Sequence, residues 1–228
     1  MEELKIVNLY NLEETIAHEY MKSKEYPWEL LSGISDFIKE LGKKLSPDIF
    51  EHVGEYVWIA KSSTVAPTAL INGPCIIDEK VEVRHCAFIR GSVIVGKKCV
   101  VGNSTELKNS ILFNGVQVPH YNYVGDSILG HKAHMGAGSI TCNVKSDRSL
   151  VKMIWNGEEI ETGLKKIGSM IGDCVEIGCN TVLNPDTIIG RNTSIYPLSI
   201  VRGYVPPDVI YKKQGEVVGR IYDHDPPS

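Results

Sequence analysis

The sequence predicts a mainly β fold, a parallel β-helix of hexapeptide repeats, and two patterns support this prediction. An aliphatic residue or Phe begins each of ten consecutive hexads from Ile59 to Val118, and small or β-branched residues fill many fifth positions. A six-residue period fits neither an α-helix nor an isolated strand, but it is typical of coils in which each hexad supplies one short strand and a corner. We expect the period to slip between Pro119 and Ile128, to resume, and to give about seven coils of roughly eighteen residues.

The composition is that of an ordinary globular chain. Of 228 residues, 43% are hydrophobic and 23% are charged, and the formal net charge is -4. This charge gives no field that would attract nucleic acid or an anionic membrane, so neither is expected as a partner. The N-terminus lacks the pattern of a signal peptide, and no apolar run is long enough for a membrane span. The six cysteines form no CxxC pair, which favours a reducing cytoplasm.

Residues 1–55 are predicted to form a helical segment before the repeats. A first helix is expected over residues 11–20, with Asn11 as its N-cap. A second helix is expected over residues 27–41. Pro27 would be its first residue, a position where the fixed φ of proline is favourable. Two short amphipathic helices cannot form a stable core alone, so they should pack against the repeat region.

Residues 56–205 are expected to form the repeat domain, with an interruption at residues 144–166. Asn156-Gly157 separates two alternating runs within it, and a type I′ turn needs positive φ at both residues, so a protruding β-hairpin is predicted. Residues 206–228 are expected to form a C-terminal tail with a short hairpin around Gln214-Gly215. The final six residues, DHDPPS, are expected to be frayed.

Three motifs in the repeat region resemble one family closely. They are GNSTELKNS at residues 102–110, PHYNYVGDSILG at 119–130 and MGAGSITCN at 135–143. At these separations the run is similar to the acetyltransferase domain of the bifunctional N-acetylglucosamine-1-phosphate uridyltransferase/glucosamine-1-phosphate acetyltransferase family. Residues 1–55 carry no glycine-rich nucleotide loop, so the uridyltransferase domain is not expected.

The resemblance implies properties that periodicity alone does not predict. It implies a left-handed coil, although parallel crossovers are ordinarily right-handed. It also implies a homotrimer with active sites between subunits and acetyl-CoA as the acetyl donor. The implied reaction is N-acetylation of a hexosamine 1-phosphate, glucosamine 1-phosphate before galactosamine 1-phosphate, in UDP-N-acetylglucosamine biosynthesis.

The same resemblance implies roles for individual residues. His120 matches the catalytic histidine, and imidazole titrates in the right range to accept the proton that an amine loses as it attacks a thioester. Arg90 and Lys108 match sugar-phosphate contacts, since guanidinium and ammonium groups bind phosphate oxygens. Tyr123 matches a substrate-binding tyrosine. His134 stands where the family has an asparagine that contacts the sugar, which leaves the sugar specificity open.

Four further positions correspond to acetyl-CoA contacts. Ala137 and Asn143 match the family directly, whereas Cys179 replaces a serine and Pro197 replaces an alanine.

After Asn143 the sequence departs from the family's pattern. The family's substrate-binding lysine has two candidate replacements, Lys145 and Lys152. This departure and His134 leave open another hexapeptide-repeat acyltransferase with a different acceptor. A second alternative is a non-catalytic β-helix subunit whose regular flat sides serve assembly.

His131 and His134 form an HxxH pair, which raises the possibility of a metal site. Residues three apart on an extended chain face opposite sides, so the two rings are not expected to converge on one ion. We therefore expect no metal.

Overall fold

The computed structural model describes residues 1–220 and shows a three-sided parallel β-helix. There are seven full coils, at residues 57–71, 75–89, 93–107, 110–124, 127–141, 169–183 and 187–201. An eighth, incomplete coil begins at Tyr204. Each strand pairs in parallel with the strand one coil away on the same face. The predicted fold class is confirmed, and the architecture is consistent with the left-handed coil that the resemblance implies.

The strands form three stacked faces, numbered here by their order along a coil. The first face holds Val57–Ala60, Cys75–Ile77, Val93–Val95, Ser169–Ile171, Thr187–Ile189 and Tyr204–Val205. The second holds Thr64–Val65, Glu82–Val83, Val100–Asn103, Gln117–His120, His134–Met135, Glu176–Ile177, Ser194–Ile195 and Val209–Lys213. The third holds Leu70–Ile71, Phe88–Ile89, Ile140–Thr141, Val182–Leu183 and Ile200–Val201. Two long strands, Glu106–Leu112 and Tyr123–Leu129, begin on the third face and end on the first.

The hexad aliphatics stack into continuous columns inside the coil. Ile77, Val95, Leu112 and Leu129 are successive partners on the first face, and each is fully buried. Burying an aliphatic side chain contributes about 1.5–3 kcal/mol, so these columns supply most of the driving force for the coil. Cys75 and Cys99 are also fully buried, as the repeat predicts.

The register first slips earlier than the sequence predicts. Leu112, rather than Phe113, pairs with Val95, so the hexad that begins at Leu107 has only five residues. Counting in sixes cannot choose between two adjacent apolar residues. Phe113 is instead buried against Tyr10 of the N-terminal segment, with ring centroids 5.2 Å apart.

The repeat that begins at Val124 also has only five residues, because Leu129 is the next residue in the column. Both short repeats lie at the corner between the third and first faces. The chain turns there through positive φ at Asn109 (47°) and Asp126 (51°). The hexad that contains His120 is regular, because Val118 and Val124 keep their places in the columns. The predicted slip between Pro119 and Ile128 is therefore found only at the end of that range, at residues 124–128, and not in the hexad that contains His120.

The N-terminal segment contains only short helices. They are the 3₁₀ turns Glu2–Leu4, Leu12–Glu14 and Pro27–Leu30 and the α-helices Ile6–Leu9, His18–Lys22 and Ile34–Gly42. The two longer helices that the sequence predicts are each broken in two. Within residues 1–220, no helix has the length and apolar character that crossing a membrane requires.

The burial of Thr15 and a hydrogen bond from Tyr20 explain the two breaks. Asn11 caps its turn as predicted, but Thr15 is extended (φ -151°) and nearly fully buried, which ends the first helix. In the second, the Leu30 carbonyl accepts hydrogen bonds from the Tyr20 hydroxyl (2.6 Å) and the Gly33 N–H (3.0 Å). A Cβ at Gly33 would lie 2.5 Å from that hydroxyl, so the close approach needs glycine.

The N-terminal segment covers the first face of its own chain, from the last coils to the first. The Asp173 N–H donates to the Leu9 carbonyl (3.1 Å), and the Asn114 N–H donates to the Glu14 carbonyl (2.9 Å). Gly42 lies against the Trp58 ring. The outward side chains of the first face are consequently buried, namely Trp58, Ile76, Ile94, Ile111, Ile128, Met170 and Ile188.

Hairpins and an edge strand complete the fold. Lys152–Trp155 pairs antiparallel with Glu158–Glu161 through Asn156 (φ 49°) and Gly157 (φ 81°), which confirms the predicted turn. Phe50–Gly54 pairs antiparallel with the first strand of the coil, and Val209–Lys213 forms the predicted terminal hairpin with Glu216–Gly219. The expected frayed tail lies outside the described residues.

A groove lies between the insertion and the sixth and seventh coils. Its lining includes Lys145, Val151, Asp186 and Arg202. Asp186 is only 8% exposed, and burial raises the pKa of its carboxyl to about 6, with Arg202 and Lys145 offsetting part of the effect.

Asp186→Asn is expected to stabilise the protein at neutral pH. The folded-state pKa of about 6 exceeds the ordinary value of 3.8, so the folded state holds more protons between these pH values and stability falls as pH rises through that window. The variant should therefore gain about 1–3 kcal/mol at pH 7.5 and little at pH 4 in urea unfolding. Asparagine also tolerates the positive φ of this position (73°). Exposed Asp48→Asn is the control, and an equal gain at both pH values would contradict the assignment.

Gly102→Ala is expected to destabilise the protein by about 3 kcal/mol or more. The added Cβ would lie 1.6 Å from the Pro119 carbonyl oxygen, so the backbone that carries the His120 strand would have to move. Gly219→Ala is the matched control, since nothing lies within 4 Å of its added Cβ. Urea midpoints that are equal for the two variants would contradict this packing.

Candidate active site

Four of the predicted site residues lie in one row at the corner between the second and third faces. Backbone hydrogen bonds stack the corner of each coil on the next: Gly138 N–H to the His120 carbonyl (3.0 Å), Asn180 N–H to Ala137 (2.8 Å) and Leu198 N–H to Cys179 (2.9 Å). Pro197 stacks on Gly178 in the same row. The structure therefore brings together His120, Ala137, Cys179 and Pro197.

The corner holds the His120 imidazole in solvent. His120 ends the strand Gln117–His120, and Tyr121 turns the chain with φ 52°. Asn122 is 2% exposed. Its side-chain oxygen accepts the His120 N–H (3.1 Å), and its side-chain amide donates to the carbonyls of Gly136 (2.9 Å) and Ser139 (3.1 Å). Among residues 1–220, the ring of His120 has no hydrogen-bond partner, so both nitrogens are available to a substrate.

The Asn122 clamp was missed by sequence reasoning. A polar residue at the fifth position of a hexad, where the repeat otherwise places small or apolar side chains, is the signal that points to it. Its oxygen holds the His120 backbone and its amide ties two successive coils together, so it fixes the backbone that carries the imidazole.

A second cluster lies at the corner between the third and first faces and is centred on Asp126. Lys108 Nζ lies 3.1 and 3.0 Å from the two carboxylate oxygens, and Asn109 Nδ2 lies 2.8 Å from one of them. Asn143 Nδ2 donates to the same carboxylate and lies 3.2 Å from the Tyr123 hydroxyl. Burial raises the pKa of the Tyr123 phenol, so the hydroxyl stays neutral at physiological pH.

Both predicted phosphate-binding cations are therefore paired within the chain. The Asp126 side chain is 5% exposed, so its charge is compensated mainly by Lys108. Arg90 lies 2.8 Å from Glu106 in an exposed pair. Sequence reasoning missed Asp126 because only the stacking of three successive coils brings Lys108, Asp126 and Asn143 together.

Two predicted residues lie away from the groups to which the sequence assigns them. Asn143, matched to an acetyl-CoA contact, belongs to the Asp126 cluster rather than to the row of Ala137. His134 lies on the second face, with its Nδ1 2.8 Å from Glu176 Oε2, and so does not meet Tyr123 within one chain.

The candidate lysines differ in their surroundings. Lys152 lies between Glu159 (2.8 Å) and Glu161 (3.0 Å) on the hairpin, which neutralises its charge locally. Lys145 lies 3.8 Å from Asp147, and both lysines line the groove beside Cys142 and Val144. Lys145, with a single and more distant carboxylate, keeps more of its charge for a ligand than Lys152 does.

The HxxH histidines contact separate partners. His131 Nδ1 lies 2.8 Å from the Asn114 carbonyl, whereas His134 contacts Glu176. Within the part of the chain that the structure describes, no three His, Cys, Asp or Glu side chains are arranged to hold a metal ion.

Comparisons with known proteins place the chain among its relatives. A family model described as the GMPPB C-terminal domain matches residues 71–162. The chain is 32% identical over 202 residues to the bifunctional protein GlmU of Methanococcus maripaludis, which covers 87% of this chain and 49% of that protein. It is 32% identical over 149 residues to the bifunctional sugar-1-phosphate nucleotidylyltransferase/acetyltransferase of Sulfurisphaera tokodaii, covering 58% and 37%.

Among solved structures, the polySia-specific acetyltransferase NeuO matches with a TM-score of 0.47 and 14% identity, over 76% of this chain and 81% of NeuO.

The match to GlmU from Methanococcus maripaludis includes most of this chain, and the chain spans about half the length of that protein. The resemblance that the three motifs predict is therefore confirmed, and the chain is a relative of the acetyltransferase domain of the bifunctional GlmU family.

Proposed function

We propose that this chain transfers the acetyl group of acetyl-CoA to the amine of a hexosamine 1-phosphate, most favourably glucosamine 1-phosphate. The observation that carries the proposal is the exposed, unpartnered imidazole of His120 in one row with Ala137, Cys179 and Pro197. The name of the Sulfurisphaera tokodaii relative, a sugar-1-phosphate nucleotidylyltransferase/acetyltransferase, supports the same chemistry.

His120 acts as the general base in this proposal. The amine of a hexosamine carries a proton near neutral pH and must lose one as it attacks the thioester. An imidazole with both nitrogens free accepts that proton, and a base of this kind contributes about 10²- to 10⁴-fold. Holding the amine and the thioester in line supplies much of the remaining acceleration.

Arg90 is the principal phosphate ligand, with Lys108 in support. The Arg90–Glu106 pair is exposed, and exposed ion pairs contribute little, so a phosphate can displace the carboxylate. Lys108 contacts both oxygens of buried Asp126, and its third N–H is left for a phosphate oxygen. Tyr123, positioned by Asn143, then contacts the sugar.

Acetyl-CoA fits the row that begins at His120. The row presents short side chains at Ala137 and Cys179 and a backbone turn at Gly138 (φ 72°), which lets an extended ligand approach the main chain. Successive coils lie about 4.8 Å apart, so the row follows the length of such a ligand. The free cysteines of the chain support a reducing cytoplasm as its compartment.

The site is completed by assembly into a homotrimer through the third face. The first face is covered by the N-terminal segment, and the second presents polar residues such as Glu82, Gln117 and Glu176. The third face instead presents Leu70 (56% exposed) and Ile200 (65% exposed), which a partner would bury. His120 and the Asp126 cluster lie at opposite edges of this face. A neighbouring copy packed against the face would therefore bring His120 of one subunit close to a ligand bound at the Asp126 cluster of the other. His134 would contact the sugar only if it came from such a neighbour.

His120→Ala is expected to lower kcat by about 10²- to 10⁴-fold without changing the fold, because the proton acceptor is lost. Thiol release from acetyl-CoA is measured with glucosamine 1-phosphate and galactosamine 1-phosphate, and circular dichroism checks the fold. His18→Ala, in the N-terminal segment, is the control. Full activity in the His120 variant would remove it from the mechanism.

The same preparations separate the two alternatives. A ligand that binds the folded state raises the melting temperature. Stabilisation by acetyl-CoA without turnover of either sugar phosphate would indicate a different acceptor. No stabilisation by acetyl-CoA would contradict the acetyl-transfer proposal and favour an assembly subunit.

Ile200→Lys is expected to weaken trimer formation by at least about tenfold, because burying an unpaired ammonium in an apolar interface is costly. Analytical ultracentrifugation over a concentration series measures the effect. Val217→Lys, at a residue that is 44% exposed on the terminal hairpin, is the matched control. A wild-type monomer, or an Ile200→Lys trimer of unchanged stability, would contradict assembly through the third face.

A further inference from the structure

A second constellation of reactive side chains lies on the first two coils, apart from the proposed acetyl-transfer site. Thr68 Oγ1 lies 2.6 Å from His85 Nδ1, and His85 Nε2 lies 3.2 Å from Cys86 Sγ. The Cys86 N–H donates to the same threonine oxygen (3.3 Å). All three side chains are exposed, and Cys86 stands at a positive-φ corner (57°).

The hydrogen bonds give each residue a distinct role. The Thr68 oxygen accepts the Cys86 N–H and orients the imidazole through Nδ1, which leaves Nε2 directed at the sulfur. A histidine in this position takes the thiol proton, and the resulting imidazolium stabilises the thiolate, which is the nucleophilic form of cysteine. Nucleophile, base and orienting group are thus in contact before any ligand arrives.

None of the other cysteines has such a neighbour. Cys75 and Cys99 are buried, and Cys142 is half-buried. Cys174 and Cys179 are exposed, as Cys86 is, but neither sulfur has a hydrogen-bond partner among residues 1–220. Cys174 also shares the positive-φ corner geometry (56°). Cys174 is therefore an exposed corner cysteine like Cys86, and it differs from Cys86 in lacking the imidazole contact.

We propose that Cys86 is a reactive thiol that forms a mixed disulfide with low-molecular-weight disulfides. His85 takes the Cys86 proton, and the thiolate attacks one sulfur of the disulfide. The new S–S bond forms as the old one breaks, and the second half leaves as a thiolate that takes up the proton. The disulfide is the oxidant, and one molecule of the small thiol is released for each Cys86 modified.

The adduct would lie at the same corner as His120, two coils earlier in the β-helix. The Asn103 amide donates to the His85 carbonyl (3.0 Å), and the Tyr121 N–H donates to the Asn103 carbonyl (2.9 Å). His85 is therefore two coils from His120, about 10 Å at 4.8 Å per coil.

The test uses the reduced full chain and glutathione disulfide as the probe. Peptide mass spectrometry follows the modified fraction of each cysteine with time. Cys86 is expected to react about tenfold faster than Cys174 and Cys179, because all three are exposed but only Cys86 has a base in contact. Equal rates at the three cysteines would overturn the proposal.

Three variants separate base catalysis from exposure. His85→Gln keeps a hydrogen-bonding side chain but cannot take the proton, so Cys86 should slow to the rate of Cys174. Thr68→Val removes the orienting hydroxyl at similar volume and should slow Cys86 partially. His18→Gln is the matched control and should leave all rates unchanged. An unchanged Cys86 rate in His85→Gln, with the fold intact by circular dichroism, would contradict the role of the imidazole.

Discussion

The structure depends on parallel backbone pairing between successive coils. Cys75 pairs with Val93, eighteen residues later, and Ser110 pairs with Ser127, seventeen residues later. Residues that far apart in sequence therefore lie one above another, about 4.8 Å apart. Inward positions become the aliphatic columns, and corner positions become rows of side chains on the surface. The row of His120 exists because its hexad keeps this register.

The three faces differ in what covers them, and this difference connects the fold to the proposed function. The N-terminal segment buries the outward apolar residues of the first face, including Ile94 and Ile111, which no hexad count requires to be apolar. The second face is polar and stays in solvent. The third face is apolar at Leu70 and Ile200 without a covering element from residues 1–220. The two clusters of candidate site residues flank this uncovered face.

Charge compensation shapes the candidate site as much as side-chain identity does. Asp126 is nearly buried, and it gathers Lys108, Asn109 and Asn143 from the two neighbouring coils. A buried carboxylate needs such partners, since leaving it unpaired would be costly. The cluster therefore fixes the position of Lys108 and, through Asn143, that of the Tyr123 hydroxyl. It also compensates the positive charge of Lys108. Arg90, whose partner is exposed, keeps more freedom to meet an anion.

The sequence by itself determined the coil and the hairpin at Asn156-Gly157 and singled out His120 as the candidate base, because hexad period, turn chemistry and motif are local properties of the chain. Only the tertiary structure decided whether Leu112 or Phe113 enters the column, since both are apolar and the choice depends on Tyr10 packing from the N-terminal segment. It also decided that Thr15 and Gly33 break the helices, and that Asp126 meets Lys108. These outcomes come from contacts between residues distant in sequence, whose energies exceed the local preferences that a sequence pattern records.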